Sequence, residues 1–344
     1  LGSTAKKGDA TLTLAEPVTG WKAGDRVVIV STNRQSKHPD KKTFREHAHD
    51  LTETEERIIR EVNGTQLTLD APLAFAHIAE GRYRGEVANL SRNVIVESAD
   101  PANARGHTMY HRESSGAIHY AEFRHLGKEG VLGRYSIHFH LVRDTMRGAS
   151  VIGASIWDSG NRWITIHGTE STLVENNFCY DHLGHGLMLE DGSERFNRIL
   201  SNVIALTRRP ASLAEAVTPS DFTGQQVQRE SPASYWITNP DNIVENNIAA
   251  GTQGTGMWLL FPRFTVGLSA SDPRFSAHNP SLEPLGSMKG NVSHSCRTGL
   301  DVSDGLTVDH DIDNNQGTQF PAGIVVENGT LYSNYTGIYT GLTD

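Results

Sequence analysis

Residues 133–192 read GRYSIHFHLVRDTMRGASVIGASIWDSGNRWITIHGTESTLVENNFCYDHLGHGLMLEDG, and three alternating runs inside this stretch decide the fold. They are Ile137-His138-Phe139-His140, Ile164-Thr165-Ile166-His167 and Leu187-Met188-Leu189-Glu190. Successive side chains of a strand point to opposite faces. One face therefore takes Ile137, Phe139, Ile164, Ile166, Leu187 and Leu189, which can be buried together. The other takes His138, His140, Thr165, His167, Met188 and Glu190. The runs end 27 and then 23 residues apart, as in a parallel β-solenoid, where the chain returns to the same edge once per coil. Stacked strands lie ~4.8 Å apart, so His140, His167 and Glu190 are expected to form a column on the outer face. Two imidazoles and a carboxylate at that spacing suit a divalent metal or proton transfer.

Working outward, the composition is that of an all-β chain: short runs of Val, Ile and Thr, frequent Gly, and few long amphipathic helical patterns. A solenoid grows by adding coils, so 344 residues can form one long unit around a narrow core. The net charge of −9 argues against a nucleic-acid partner. Positive charge is concentrated locally: residues 105–147 carry seven Lys and Arg against four Asp and Glu, a local balance of +3, together with six of the 16 His. A basic cleft of this kind suits a polyanion, and a solvated, self-paired surface has the same composition. Cys179 sits in a strand-like run and is expected to be a buried thiol, with no disulfide to Cys296 indicated. No apolar run approaches the ~18 residues of a membrane span.

Residues 1–90 differ from the rest. Two strand-like runs flank Asn63-Gly64-Thr65, a strong hairpin signal, and the segment is read as a small N-terminal antiparallel β cap. His38, His47 and His49 fall in a polar, loop-like stretch. Residues 91–344 are read as the solenoid. Ile118-His119 is taken as the run before Ile137-His138, which places His119 under His138. Asn176-Asn177, Asn202, Asn246-Asn247, Asn291 and Asn328 recur near turns, where Asn tolerates left-handed backbone and can bond up and down a ladder. Loops near 207–233 and 261–286 break the period and are expected to wall a groove. Trp236, Trp258, Phe261 and Phe264 near them can stack on sugar rings or pack the loops onto the coils.

Several motifs in fixed order resemble one family. They are Arg134–His140, Asn161-Arg162 leading to Thr165–Thr169, Leu183-Gly184-His185-Gly186, Leu189–Gly192, Tyr235–Pro240 and Asn246–Gly251. Over residues 20–250 the chain resembles the cell migration-inducing and hyaluronan-binding protein and the cell-surface hyaluronidase transmembrane protein 2, with their bacterial relatives. Ser136 stands where that family usually has Pro. The resemblance implies a right-handed parallel β-helix and an extracellular or cell-surface protein that acts on hyaluronan or a similar anionic polysaccharide. It also implies divalent-cation dependence, and residues 1–90 as the tail of a larger glycine-rich domain. The chain is expected to act as a monomer.

The expected metal ligands are His138, His140, His167 and Glu190, a set that favours zinc or another transition metal. Calcium would instead use Asp158, Asp181, Glu190 and Asp191. For catalysis the candidates are Glu190, Asp191, His185 and Asp158. Adjacent in a strand, Glu190 and Asp191 should point apart, so Glu190 pairs better with Asp158 or Asp181. Arg134, Arg143, Arg162, Asn161, Trp236 and Trp258 are the candidate substrate contacts. Metal-assisted glycosidic hydrolysis is the leading expectation. β-Elimination at a uronate, with an Arg neutralising the carboxylate and a His as base, is the alternative, and a non-catalytic glycan-binding solenoid is the third.

Overall fold

The computed structural model describes residues 1–33, 53–144, 148–210, 232–302 and 325–340. His38, His47, His49 and most of the 207–233 loop lie outside the described residues. Three parallel sheets of seven, eight and eight strands run the length of residues 95–340. The chain visits them in rotation: Ser150–Ile152, Ser155–Ser159 and Ile164–Thr169 make one coil, and Leu173–Glu175, Phe178–Leu183 and Leu187–Leu189 make the next. This is a parallel β-helix. We call the three faces, in that order, the short sheet, the back sheet and the site sheet.

The two-residue alternation sets the register. Ile137 lies beside Ile164, Phe139 beside Ile166 and His140 beside His167. Ile164 then lies beside Leu187 and Ile166 beside Leu189. All six apolar side chains are buried in one continuous core, each contributing ~1.5–3 kcal/mol by its removal from water. The strand below Ile137–Arg143 is Thr108–His111, which sets His111 beside His140. His119 lies instead in the short sheet beside Ile152, so it is not under His138.

Asparagine holds the corners in two ways. Asn176, Asn246 and Asn328 adopt positive φ there. The neighbouring asparagines form a buried ladder: Asn177 Nδ2 donates to Asn202 Oδ1 (2.9 Å), Asn202 to Asn247 (3.0 Å) and Asn247 to Asn291 (3.2 Å). Each rung also closes onto backbone. Asn202 Nδ2 reaches the Val174 carbonyl (2.9 Å), and its Oδ1 accepts the Asn177 amide (3.1 Å).

The N-terminal residues form a five-stranded antiparallel sheet. Glu55–Asn63 and Gln66–Leu69 make the expected hairpin. Val28, Val30 and Leu90 pack on Trp157, Phe178, Tyr180, Ala205 and Ala250 of the back sheet. The sheet therefore lies along the flank of several coils. Tyr332 Oη donates to the Arg84 carbonyl (2.7 Å), and His294 Nε2 pairs with Glu86 (2.8 Å), which extends the contact to the last coils. Cys179 and Cys296 are buried free thiols.

Two outcomes test this scaffold. Asn202→Ala strands the Asn177 amide and the Val174 carbonyl inside the corner, and should lower stability by about 2–4 kcal/mol, read from chemical denaturation. His182 is fully enclosed, and burial, then the nearby Arg208 charge, pulls its pKa from 6.5 to about 3. The unfolded chain therefore takes up a proton below pH 6.5 that the folded chain refuses. Stability should fall from pH 6.5 toward pH 3, and His182→Leu should flatten that fall by up to ~1.4 kcal/mol per pH unit.

Candidate active site

The site is built on the end of the strand Ile137–Arg143 and the two strands above it. His140 and His167 occupy neighbouring register positions. Their Nδ1 atoms lie 3.1 Å apart. His138, two residues before His140 on the same face, stacks parallel to His167 with ring centroids 6.0 Å apart. One ring nitrogen from each of His138, His140 and His167 falls within 4.8 Å of the others. Glu190 Oε2 lies 3.5 Å from His167 Nδ1 and 3.3 Å from Arg162 Nη1.

The expected outer face is largely enclosed. His138, His167, Glu190 and Asp191 are all buried, and His140 is only partly covered. Much of the cover is the segment 261–286. The Ser269 amide donates to Asp191 Oδ2 (2.9 Å), and the Val266 amide donates to the Asp191 carbonyl (2.9 Å). Arg143 Nε pairs with Asp272 (3.0 Å), tying the segment to the site sheet. Gly267 makes this approach possible: its φ is +58°, and a Cβ there would collide with the Asp191 carboxylate.

Glu190 and Asp191 do not diverge. The strand ends at Leu189, so the alternation no longer governs Asp191, and the two carboxylates meet opposite nitrogens of His167. His167 Nε2 donates to Asp191 Oδ2 (2.7 Å). A carboxylate is acceptor-only, so this bond fixes the proton on Nε2 and points the Nδ1 edge at His140 and Glu190.

The electrostatics follow from burial and these neighbours. Burial first, with the positive potential of His167 and His140, brings His138 down to about 3, against the pull of Glu190. Burial, then His167 and His111, brings His140 down to about 4. Burial also opposes charge on His167, but Glu190 and Asp191 overcome it and raise it to about 9. At neutral pH the cluster holds two neutral imidazoles beside a cationic one.

The donor set fits a transition-metal ion. Among the described residues, His138 Nε2 is buried with no hydrogen-bond partner, while its Nδ1 is held by the Gly133 carbonyl (3.2 Å). Around a tetrahedral ion, nitrogen donors at ~2.0–2.1 Å from the centre are ~3.4 Å apart. The His140–His167 pair already stands near that separation.

The other expected site residues are placed elsewhere or differently. Asp158 lies on the back sheet, bonded to Arg105 (3.0 Å) and His125 (2.6 Å), and Asp181 pairs there with Arg208. Neither carboxylate faces Glu190. His185 is buried; its Nδ1 accepts the Ala233 amide (3.0 Å), and burial, reinforced by Arg162, holds it well below its usual pKa. Arg162 is enclosed over the Tyr135 ring and serves Glu190. Asn161 Nδ2 donates to the Lys128 carbonyl (2.8 Å), which organises a turn. Trp236 and Trp258 are buried against each other, with ring centroids 4.8 Å apart, so they pack the coils and present no face to a sugar. Phe261 is likewise buried, whereas Phe264 is 70% exposed. Arg134 remains exposed beside His107. Arg105, Arg124 and Arg143 are each ion-paired, so the run of positive charge is in good part self-compensated.

Three contributors escaped the sequence reading. His111 stacks under His140 with centroids 5.2 Å apart, and the alternation of Thr108–His111 was the signal for it. Glu194 accepts the Gly168 (2.7 Å) and Asp191 (3.1 Å) amides and is raised by burial and by Asp191. The Gly267–Ser271 turn over Asp191 had no local signal.

The family model described as the CEMIP beta-helix matches residues 103–300. The chain belongs to the CEMIP beta-helix family. It is 31% identical to fibrocystin-L of Mus musculus over 86% of this chain and 8% of that protein. It is 29% identical to the cell surface hyaluronidase CEMIP2 of Homo sapiens, over 86% of this chain and 23% of that one. It is also 27% identical to the human cell migration-inducing and hyaluronan-binding protein, over 86% and 24%. The chain thus spans less than a quarter of each of these CEMIP beta-helix relatives. The matched region contains the whole histidine cluster, Glu190, Asp191 and the segment that covers them.

Gly267→Ala tests how this cover acts. The added methyl should push the turn off Asp191 and loosen His167, and the downfield Nε2–H proton resonance of His167 should shift or broaden. An unchanged resonance would mean that the turn does not set the His167–Asp191 bond.

Proposed function

We propose that this chain is a glycan-cleaving β-helix of the cell surface or extracellular space. Its substrate is hyaluronan or a similar anionic polysaccharide, cut by metal-assisted hydrolysis of a glycosidic bond. The observation that carries this reading is the convergence of His138, His140 and His167 with Glu190, oriented from behind by Asp191. The hyaluronidase names of two relatives support the substrate class.

Glycosidases without a metal commonly use two carboxylates across the scissile bond. Both carboxylates here are engaged with the two edges of His167, which favours a different division of labour. His138, His140, His167 and Glu190 would hold a zinc-like ion. Such an ion supplies Lewis acidity and a nucleophile at neutral pH. Asp191 orients His167, and Arg162 holds Glu190 in place and balances its charge. Without an ion, His140, neutral and partly open at pH 7, is instead the imidazole best placed to accept a proton. Substrate approaches from the exposed His111 and Arg134 side, where the guanidinium suits a sugar carboxylate.

That same pairing of a neutral, accessible imidazole with an exposed arginine favours β-elimination as a second reading. Metal analysis of the purified protein and digestion of hyaluronan and other uronate glycans separate the readings. Hydrolysis predicts stoichiometric metal and chain shortening without the ultraviolet absorbance of an unsaturated product. His140→Ala and His167→Ala should each lose the metal and slow cleavage by about 10²-fold or more. Rising ultraviolet absorbance would replace hydrolysis with elimination. Absence of both metal and shortening would leave a glycan-binding solenoid.

A further inference from the structure

A cavity of about 560 Å³ opens where the turn at Thr19–Lys22 of the N-terminal sheet meets the first coils. Its volume lies within the ~300–1,000 Å³ of small-ligand sites. Trp21, Asp25, Arg92, Tyr120 and Gly153 line it, none of which belongs to the histidine cluster.

Tyr120 is the aromatic wall on the side of the coils. It occupies the corner that Gly153, Asn176, Ser201, Asn246 and Gly290 occupy in other coils, and like them it has a positive φ, +54°. Gly and Asn accept that backbone most readily, and this solenoid also carries it at Leu141, Phe196 and Leu206. Tyr120 is 65% exposed, so much of its ring is accessible from the cavity side. Its ring lies against Gly153, where a Cβ would collide with it. Trp21, the other aromatic wall, is anchored on one side by the core of the N-terminal sheet.

The polar walls are Asp25 and Arg92. Asp25 is 7% exposed, and its Oδ2 accepts the Lys22 amide (3.0 Å) and Asn89 Nδ2 (2.8 Å), while Oδ1 takes neither bond. Arg92 commits Nε to the Gly153 carbonyl (3.0 Å) and Nη1 to the Asn89 and Ser91 carbonyls (2.9 and 2.8 Å), which leaves Nη2 outside these bonds. An acidic and a basic side chain thus line a cavity together with two aromatic side chains. Vicinal hydroxyls on an apolar ring face are the complement of that arrangement.

We infer that this cavity is a saccharide-binding site, separate from the histidine cluster, that takes one pyranose residue between Trp21 and Tyr120. Asp25 and Arg92 bond its hydroxyls, and Lys22 and Arg92 tolerate a sugar carboxylate. The site stands on its own geometry and does not require the cleavage reading.

Saturation-transfer NMR on the full chain with methyl β-D-glucuronide and methyl N-acetyl-β-D-glucosaminide tests it. Tyr120→Asn keeps the corner, because Asn176 and Asn246 already hold that backbone. Transfer to at least one pyranoside should persist in a His140→Ala/His167→Ala double variant and weaken ~5-fold or more in Tyr120→Asn and in Trp21→Ala. Transfer unchanged in the two aromatic variants, transfer lost only in the histidine variant, or no transfer to either sugar would each overturn the assignment. The histidine variant separates this site's failure from failure of the cleavage reading.

Discussion

Everything in this molecule depends on parallel register between coils. Ile137 over Ile164 over Leu187 places one side of each strand in the core. A slip of one residue would turn His138, His140 and His167 inward and expose the isoleucines. The hydrophobic core therefore aligns the histidines as a by-product of aligning itself. The asparagine ladder adds a second lock at the corner, because each Asn bonds both its neighbour and the backbone of the adjoining coil. Side-chain columns in such a scaffold are held to strand spacing, which is close to the separation that shared ligands or relayed protons need.

The charges in the site show what that precision requires. Glu190, Asp191, Arg162 and His167 are all nearly inaccessible, and ions so placed are tolerated only in paired sets. Two carboxylates face a guanidinium and a cationic imidazole, so the group is close to neutral as a whole. Removing one member leaves the others buried and unbalanced. Such a set is weak support for stability. Its retention is better explained by the orientation it imposes on His167, whose two edges are fixed by different carboxylates.

The period of two made the fold legible. Short apolar alternations with Asn and Gly at the turns sufficed to expect stacked coils, and the His140–His167 column followed from counting. What escaped were departures from that period. Asp191 turns back onto His167 because the strand has already ended at Leu189. His119 resembled the member of the column below His138, but the chain makes a short-sheet strand there, and Thr108–His111 supplies the neighbour. Burial was the larger blind spot. Arg162, Trp236 and Trp258 have the composition of a sugar-binding surface, and only three-dimensional cover distinguishes a stacking platform from a packed one.

The exceptions to periodicity also mark where a solenoid departs from being only a scaffold. A coil is stable when each corner and each face repeats what its neighbours do, so a residue that breaks the pattern needs a local reason. For Gly267 the reason is visible: the turn must approach Asp191 more closely than a side chain permits. For Tyr120 the ring packs on Gly153 with one part and stays largely in water with the rest. A large aromatic ring left in water beside a cavity walled by Trp21, Asp25 and Arg92 is a surface that the fold itself does not use.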